Sequence, residues 1–216
     1  MTMDVDGRGR AILNPAERFA TGRDGVDMDA PTRLVSSRTV FEGPIFTIQD
    51  QRIALAKADG GRTMIRRQLV HHAPCVVMLV QDAITDRYLL EREYRVGVSG
   101  YTFGLPAGFM DPGEDPATAA LRELREETGV EPAGQGAYQI ERVADCYSSE
   151  GMSDELVHIM IIRLRSWRKE LTRFDADEHV QSAWVSWPEL RALPVTASNA
   201  VIAIQAEALH RLRSVC

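Results

Sequence analysis

The pattern of hydrophobic and polar positions changes twice along the chain. Residues 1–33 are rich in Gly, Asp and Arg with few apolar side chains, so we expect a flexible N-terminal extension. Residues 34–72 carry β-branched and aromatic residues between turn residues, which is typical of antiparallel strands. The Asp-Gly-Gly sequence at 59–61 predicts a hairpin turn there, since glycine accepts positive φ. Residues 73–216 are interpreted as the main domain.

Within the main domain, apolar segments of strand length alternate with helical patterns. The apolar run at 75–80 predicts a central strand buried on both faces. A capping box at Ser186 and Glu189 marks a helix start, and a final helix over 198–213 follows. That helix is predicted to pack through Val201, Ile204, Ala208 and Leu212. Further strands are predicted over 87–94, 137–147, 156–164 and 180–185, and a charged loop over 167–178.

Composition narrows the possible partners. Apolar residues make up 44% and charged residues 26% of the 216 residues, as in ordinary globular proteins. The net charge of −6 argues against non-specific binding of nucleic acid or of anionic membranes. The N-terminus has no apolar signal segment, and no run approaches about 18 apolar residues. The three widely spaced cysteines predict reduced thiols in a cytoplasmic protein.

The stretch 108–130 carries the clearest chemistry. Asp115 is a good N-cap and Gly129 a good helix stop, which predicts a helix between them. Glu123, Glu126 and Glu127 would project from one face of that helix. A solvated acidic face is the simpler interpretation, but it does not explain acids crowded behind a glycine-bracketed loop. A divalent cation such as Mg²⁺, which prefers oxygen ligands, does explain them.

This stretch resembles the Nudix box. Gly108 is followed after five residues by Glu114, and after seven more by Arg-Glu-Leu-Arg-Glu-Glu-Thr-Gly-Val at 122–130. Flanking sequences resemble the ADP-ribose pyrophosphatase branch, with Leu-Pro-Ala at 105–107 before the box. The resemblance implies an α+β fold, an α/β/α sandwich whose mixed sheet is flanked by helices, with an N-terminal antiparallel strand unit. It also implies hydrolysis of ADP-ribose, or a related nucleoside diphosphate sugar, to AMP and a sugar phosphate.

The resemblance assigns roles within the box. Two or more Mg²⁺ ions are expected, with Mn²⁺ as a possible substitute. Glu123 and Glu127 would be direct ligands, Glu126 would bind directly or through water, and Ala107 would contribute its backbone carbonyl. Arg122 is expected to pair with these acids and hold their geometry, which makes it part of the catalytic set.

The resemblance also suggests residues outside the helix. Glu114 is expected to orient the acidic network from the loop, beside the substrate. Glu155 matches the glutamate assigned as general base in the branch, and Glu123 is the alternative base. Arg95 and Arg67 are candidates for binding phosphate, although Arg67 could equally be a solvated strand charge. Phe46 is a candidate for stacking the base, although its position in a strand favours ordinary core packing.

The sequence departs from the branch at three positions, so the resemblance does not fix the identity of the substrate. Glu93 stands in place of a Gln, Gly104 in place of a Glu, and Glu150 in place of a Pro linked to ADP-ribose preference. Another nucleotide sugar, such as GDP-mannose, or a dinucleoside polyphosphate is therefore the alternative substrate. A non-catalytic ADP-ribose sensor is a further alternative that the complete box disfavours. The strands of 34–72 resemble a dimerisation unit, so a homodimer is expected.

Overall fold

The computed structural model describes residues 25–172 and 179–213. The prediction of a flexible extension over 1–33 therefore falls mainly outside the described residues. The described chain divides into two compact units. The first contains the described residues up to 42 together with 48–69, and the second contains 43–47 and the described residues from 70 onward.

Twelve strands and three helices are described. The strands are β1 (Arg33–Glu42), β2 (Phe46–Ala56), β3 (Arg62–His72), β4 (Cys75–Asp82), β5 (Arg87–Arg95), β6 (Gly100–Gly104), β7 (Ala107–Phe109), β8 (Val130–Pro132), β9 (Tyr138–Tyr147), β10 (Leu156–Leu164), β11 (Trp167–Lys169) and β12 (Gln181–Ser186). The helices are α1 (Pro116–Thr128), α2 (Trp187–Ala192) and α3 (Ser198–Arg213).

The N-terminal strands form an antiparallel sheet in the order β1-β2-β3. The predicted hairpin turn is confirmed, because Gly60 has φ of 82° and its amide donates to the carbonyl of Lys57 at 2.9 Å. Val26 pairs with Lys57 in an isolated bridge. Every residue of β1 is exposed, including large apolar side chains.

The second unit is built on a seven-stranded mixed sheet. Five strands run in the order β12-β5-β4-β10-β9, with β6 paired to β5 and β7 paired to β4. The β4–β10 pair is parallel, and the other described pairs of this sheet are antiparallel. The predicted strands at 87–94, 137–147, 156–164 and 180–185 are confirmed to within about one residue.

The core lies on both faces of this sheet. Successive residues of β4 point to opposite faces, so 75, 77 and 79 pack towards α2 and α3, while 76, 78 and 80 pack towards α1. Leu79 and Met78 are fully buried, one on each face. The predicted central strand and the α/β/α sandwich are both confirmed.

Two predictions need correction. The segment from 167 was predicted as a loop, but Trp167–Lys169 pairs antiparallel with β8, and 173–178 lie outside the described residues. The buried face of α3 is turned by about one residue from the predicted one, so Leu212 is 66% exposed. The cause is Glu207, which is buried and accepts hydrogen bonds from Tyr88 (2.5 Å) and Arg163 (2.7 Å). No helix of the described residues is long and apolar enough to cross a membrane.

Candidate active site

Helix α1 is fixed at both ends. The carboxylate of Asp115 accepts hydrogen bonds from the amides of Ala117 (3.0 Å) and Thr118 (3.2 Å), which confirms the predicted N-cap. Gly129 ends the helix with φ of 66°, and its carbonyl accepts from the amide of Glu170 at 2.7 Å. The helix therefore presents its side chains to β4 and β7 in a defined register.

The acids of α1 lie against the backbone of β7. An ideal Cβ on Gly108 would collide with the carboxylate of Glu123, so only glycine leaves room for this close approach. One turn later, Glu127 accepts a hydrogen bond from the amide of Ala107 at 3.2 Å. The structure thus brings the predicted ligands Ala107, Glu123 and Glu127 into one region.

Arg122 links the loop and the helix. Its guanidinium makes two bonds to Glu114, at 3.0 and 2.8 Å, and reaches Glu123 at 2.7 Å and Glu126 at 3.2 Å. It also donates to the carbonyl of Phe109 at 2.8 Å. These bonds, chiefly the one to Glu114, raise the pKa of Arg122 further above its already high value. The prediction that Arg122 pairs with the acids is confirmed.

Glu114 is the fixed point of this network on the loop side. The hydrogen bond from Arg122 lowers the pKa of Glu114 below its usual value and outweighs the opposing effect of burial. Its carboxylate also accepts from the amide of Asp111 at 3.0 Å, which closes the turn of the loop. Glu114 therefore stays ionised and orients Arg122, as the resemblance predicts.

The donor set fits a hard cation. Among the described residues, no three His, Cys, Asp or Glu side chains converge into an all-protein cage. Mg²⁺ usually binds through one or two carboxylates together with substrate phosphates, so such a cage is not required. Carboxylates at Glu123 and Glu127 beside the peptide group of Ala107 would supply such oxygen donors, and the close fit at Gly108 limits the movement of Glu123.

The loop before β10 is tied to the end of β3. The carboxylate of Asp154 contacts the His71 ring at 2.6 Å and accepts from the amide of His72 at 2.9 Å. Burial raises the pKa of Asp154, but these hydrogen bonds outweigh it, so the pKa lies below its usual value. The amide of Val70 donates to the carbonyl of Met152 at 2.8 Å. Both histidines at the end of β3 are therefore engaged by this loop.

Glu155 follows this anchored segment directly. Its amide donates to the hydroxyl of Ser153 at 3.1 Å. Its Oε1 lies 3.7 Å from Sγ of Cys75, and also 3.7 Å from Nδ1 of His72. Burial and the neighbouring Glu155 carboxylate raise the pKa of Cys75 to about 12, while the charge of Arg95 opposes the rise. Arg95 is therefore close enough to act electrostatically on this part of the site.

The candidate substrate-binding residues are carried by β2, β3 and β5. Arg95 forms an ion pair with Glu93 at 2.7 Å and is 57% exposed, so its guanidinium can meet a ligand. Phe46 begins β2 and is 37% exposed. Arg67 lies in the first unit, on β3, where it is exposed and donates to the carbonyl of Arg66 at 2.9 Å. The roles of these residues stay predictions.

Some contacts at the site have no local signal in the sequence. Asp154 is joined to His71 and Glu155 to Cys75 across about 80 residues, so neither pair could be inferred from spacing. Cys75 begins an apolar run, which by itself indicates only core packing. Gly108 is different, since a glycine at the start of the glycine- and proline-rich loop is a local signal of close approach to its backbone.

Comparisons with known proteins agree with this geometry. The NUDIX domain profile matches residues 71–205, more than half of the chain. An ADP-ribose pyrophosphatase of Bacillus subtilis (strain 168) is 27% identical over 151 residues, covering 69% of this chain and 75% of the relative. A methanol dehydrogenase activator of Bacillus methanolicus is 27% identical over 177 residues, covering 80% and 90%.

The fold agrees as well. A structure described as a crystal structure of ADP compounds hydrolase superposes with a TM-score of 0.64 at 21% identity, covering 86% of this chain and 96% of that one. With the box residues assembled on α1 and the family profile spanning the second unit, the chain belongs to the NUDIX family.

Proposed function

We propose that the protein hydrolyses the diphosphate bond of ADP-ribose, or of a related nucleoside diphosphate sugar, to AMP and a sugar phosphate. The observation that carries this proposal is the acidic cluster of α1, held by Arg122 and seated against β7 at Gly108. Relatives such as the Bacillus subtilis ADP-ribose pyrophosphatase support the substrate. A net charge of −6 means that the diphosphate needs local cations to bind.

Two or more Mg²⁺ ions would supply these cations, with Mn²⁺ as a substitute. Glu123, Glu126 and Glu127 would hold them with the backbone carbonyl of Ala107. Bound divalent ions neutralise phosphate oxygens and lower the pKa of an attacking water. Chelation with EDTA should abolish turnover, and added Mg²⁺ or Mn²⁺ should restore it.

Side chains of the protein hold the acidic cluster in place and accept the proton of the attacking water. Arg122 keeps the acids in register by bonding Glu114 and Glu123 at the same time. Glu155 accepts the proton of the attacking water, because it sits on a separate anchored loop and its side chain is 26% exposed. Glu123 is the alternative base. Comparing Glu155→Gln with Glu123→Gln at saturating metal separates them, since only loss of the base removes turnover without weakening metal binding.

Residues 105–107 and the loop 153–155 resemble the ADP-ribose pyrophosphatase branch, which supports ADP-ribose as the substrate. The departures at Glu93, Gly104 and Glu150 favour a second candidate, another nucleotide sugar such as GDP-mannose or a dinucleoside polyphosphate. Assaying each of these substrates with Mg²⁺ and analysing the products identifies the one that the protein hydrolyses fastest. ADP-ribose turning over no faster than GDP-mannose would refute the first choice.

Assembly and location are further parts of the proposal. We infer a homodimer, supported by the exposed strand β1 with apolar side chains such as Leu34 and Val40 at about half exposure. Arg67, on β3, is proposed to bind phosphate, and Phe46, on β2, to stack the base. The free thiols of Cys75 and Cys146 suit a reducing cytoplasm. Light scattering tests the dimer, which a monomer at micromolar concentration would exclude.

A further inference from the structure

We propose that the end of β3 and the start of β4 position Glu155 for proton transfer, with Cys75 donating to one oxygen of its carboxylate and the ring of His72 lying beside that oxygen. The inference rests on the proposed function, in which Glu155 accepts a proton from the attacking water. It adds two positioning residues that lie outside the box and outside the loop of the base.

The two oxygens of Glu155 have different surroundings. Oε1 accepts from the thiol of Cys75 at 3.7 Å. The ring of His72 lies beside it, with Nδ1 3.7 Å from Oε1 and bonded to the carbonyl of Ala73 at 2.8 Å. Over residues 25–172 and 179–213, no hydrogen bond reaches Oε2, and this oxygen is not sealed from solvent. One oxygen is therefore held while the other is left for a water molecule.

The backbone on the N-terminal side of Glu155 is already fixed. The amide of Val70 donates to the carbonyl of Met152, and its carbonyl accepts from the amide of Asp154. The Asp154 side chain is bound by His71 and by the amide of His72. The freedom that remains is rotation of the Glu155 side chain. Contacts at Oε1 restrict that rotation, so Cys75 and His72 determine where Oε2 points.

His72 also connects the base to the acidic cluster. Its ring lies 5.0 Å from the ring of Phe109, between centroids, at an interplanar angle of 59°. The carbonyl of Phe109 accepts from Arg122 at 2.8 Å, and Arg122 bonds Glu123 at 2.7 Å. A continuous series of contacts thus joins the base to the acids of α1.

Cys75 is suited to donation and not to nucleophilic attack. It is 8% exposed, at the start of a strand whose next five residues are all buried. A pKa of about 12 keeps the thiol protonated at neutral pH, so its S–H remains available to the carboxylate. If Cys75 acts as a hydrogen-bond donor, activity should depend on a donor at position 75 and not on the sulfur atom itself.

Cys75→Val is the decisive variant, because it removes the donor and keeps an apolar side chain that suits a buried strand. We expect kcat for ADP-ribose with Mg²⁺ to fall roughly tenfold, since misplacement of a reacting group by a fraction of an ångström is costly, while KM stays within about twofold. Cys75→Ser restores a donor and should raise kcat again. If Cys75 had a purely structural role, Cys75→Val would instead retain a higher kcat than Cys75→Ser, because valine suits this apolar strand better.

The chain offers a matched control. Cys146 lies opposite Val157 in the sheet, and Val157 lies opposite Cys75, so both cysteines occupy one row and pack on the same face. Cys146→Val should leave kcat unchanged. For the second positioning residue, His72→Ala removes the ring that lies beside Oε1, and kcat should fall again with KM preserved.

A double-mutant cycle with Glu155→Gln tests whether Cys75 acts on kcat through Glu155. If Cys75 acts through Glu155, then Cys75→Val should have no further effect on kcat in the Glu155→Gln background. An impaired Glu155→Gln beside a fully active Cys75→Val would overturn this inference and leave the proposed function standing. A fully active Glu155→Gln would instead refute the assignment of the base, and the positioning role with it.

A spectroscopic measurement does not depend on the substrate. The infrared S–H stretching band of Cys75, identified by its loss in Cys75→Val, should lie at lower frequency in the wild type than in Glu155→Gln, because a carboxylate is the stronger acceptor. Identical bands in the two proteins would overturn the contact itself. This result holds even if ADP-ribose is not turned over. Thermal unfolding of each variant confirms that the protein compared is folded.

Discussion

Gly108→Ala should disable the site without unfolding the protein. The new Cβ would lie well inside 3.0 Å of the carboxylate of Glu123, which real Cβ atoms do not approach. The carboxylate would have to retreat by about 1 Å, and a displacement of that size can cost about 10²-fold in rate. Gly108 does not occupy the left-handed region, and the group it meets ends a flexible side chain. We therefore expect a loss of stability of only about 1 kcal/mol or less.

The assay is kcat for ADP-ribose at saturating Mg²⁺, with thermal unfolding of the same samples. Gly136→Ala is the control, because nothing lies within 4 Å of a Cβ at that position. Glu123→Asp shortens the acid and relieves the collision, so adding Gly108→Ala to it should cost much less than Gly108→Ala does in the wild type. Wild-type kcat in Gly108→Ala would refute the placement of Glu123 against β7.

Three other changes test the electrostatics. Arg122→Lys should lower kcat about tenfold or more, since an ammonium cannot replace a forked guanidinium, and wild-type kcat would contradict this. Glu207→Ala removes the buried carboxylate that Tyr88, Arg163 and Arg211 share, so urea unfolding should show a loss of about 3 kcal/mol, with Glu207→Gln intermediate. Asp154 has a lowered pKa, so its stabilisation is present above its unfolded value of 3.8 and is lost as the pH falls through the folded value. The unfolding free energy of wild type should therefore exceed that of Asp154→Asn at about pH 6, and a gap that did not narrow below pH 3.8 would contradict this contribution.

Local signals predicted the elements that carry the chemistry. Asp115 and Gly129 define α1 because capping depends on residues within one turn of the helix end. The spacing of Glu123 and Glu127 then places both on one face, and the structure keeps them there. The run at 75–80 predicted a strand buried on both faces, since no polar residue interrupts it.

Long-range contacts account for what was not predicted. Trp167–Lys169 became a strand only because β8, more than 30 residues earlier, offers an edge for pairing. The buried face of α3 was misplaced because Glu207 counts as polar in any hydrophobic pattern. Its burial depends on Tyr88 and Arg163, which lie on other elements. The hold of Cys75 on Glu155 is equally non-local.

The anchoring of α1 at both ends has a consequence for how the chain can vary in length. Asp115 holds the first turn, and the pairing of Gly129 with Glu170 holds the last. One inserted residue between them would rotate every following side chain by about 100° and carry Glu127 away from Ala107. Substitutions on the exposed side of α1 leave the register intact. Among descendants of this chain, insertions and deletions should therefore be absent from 115–129 and accumulate in loops outside it.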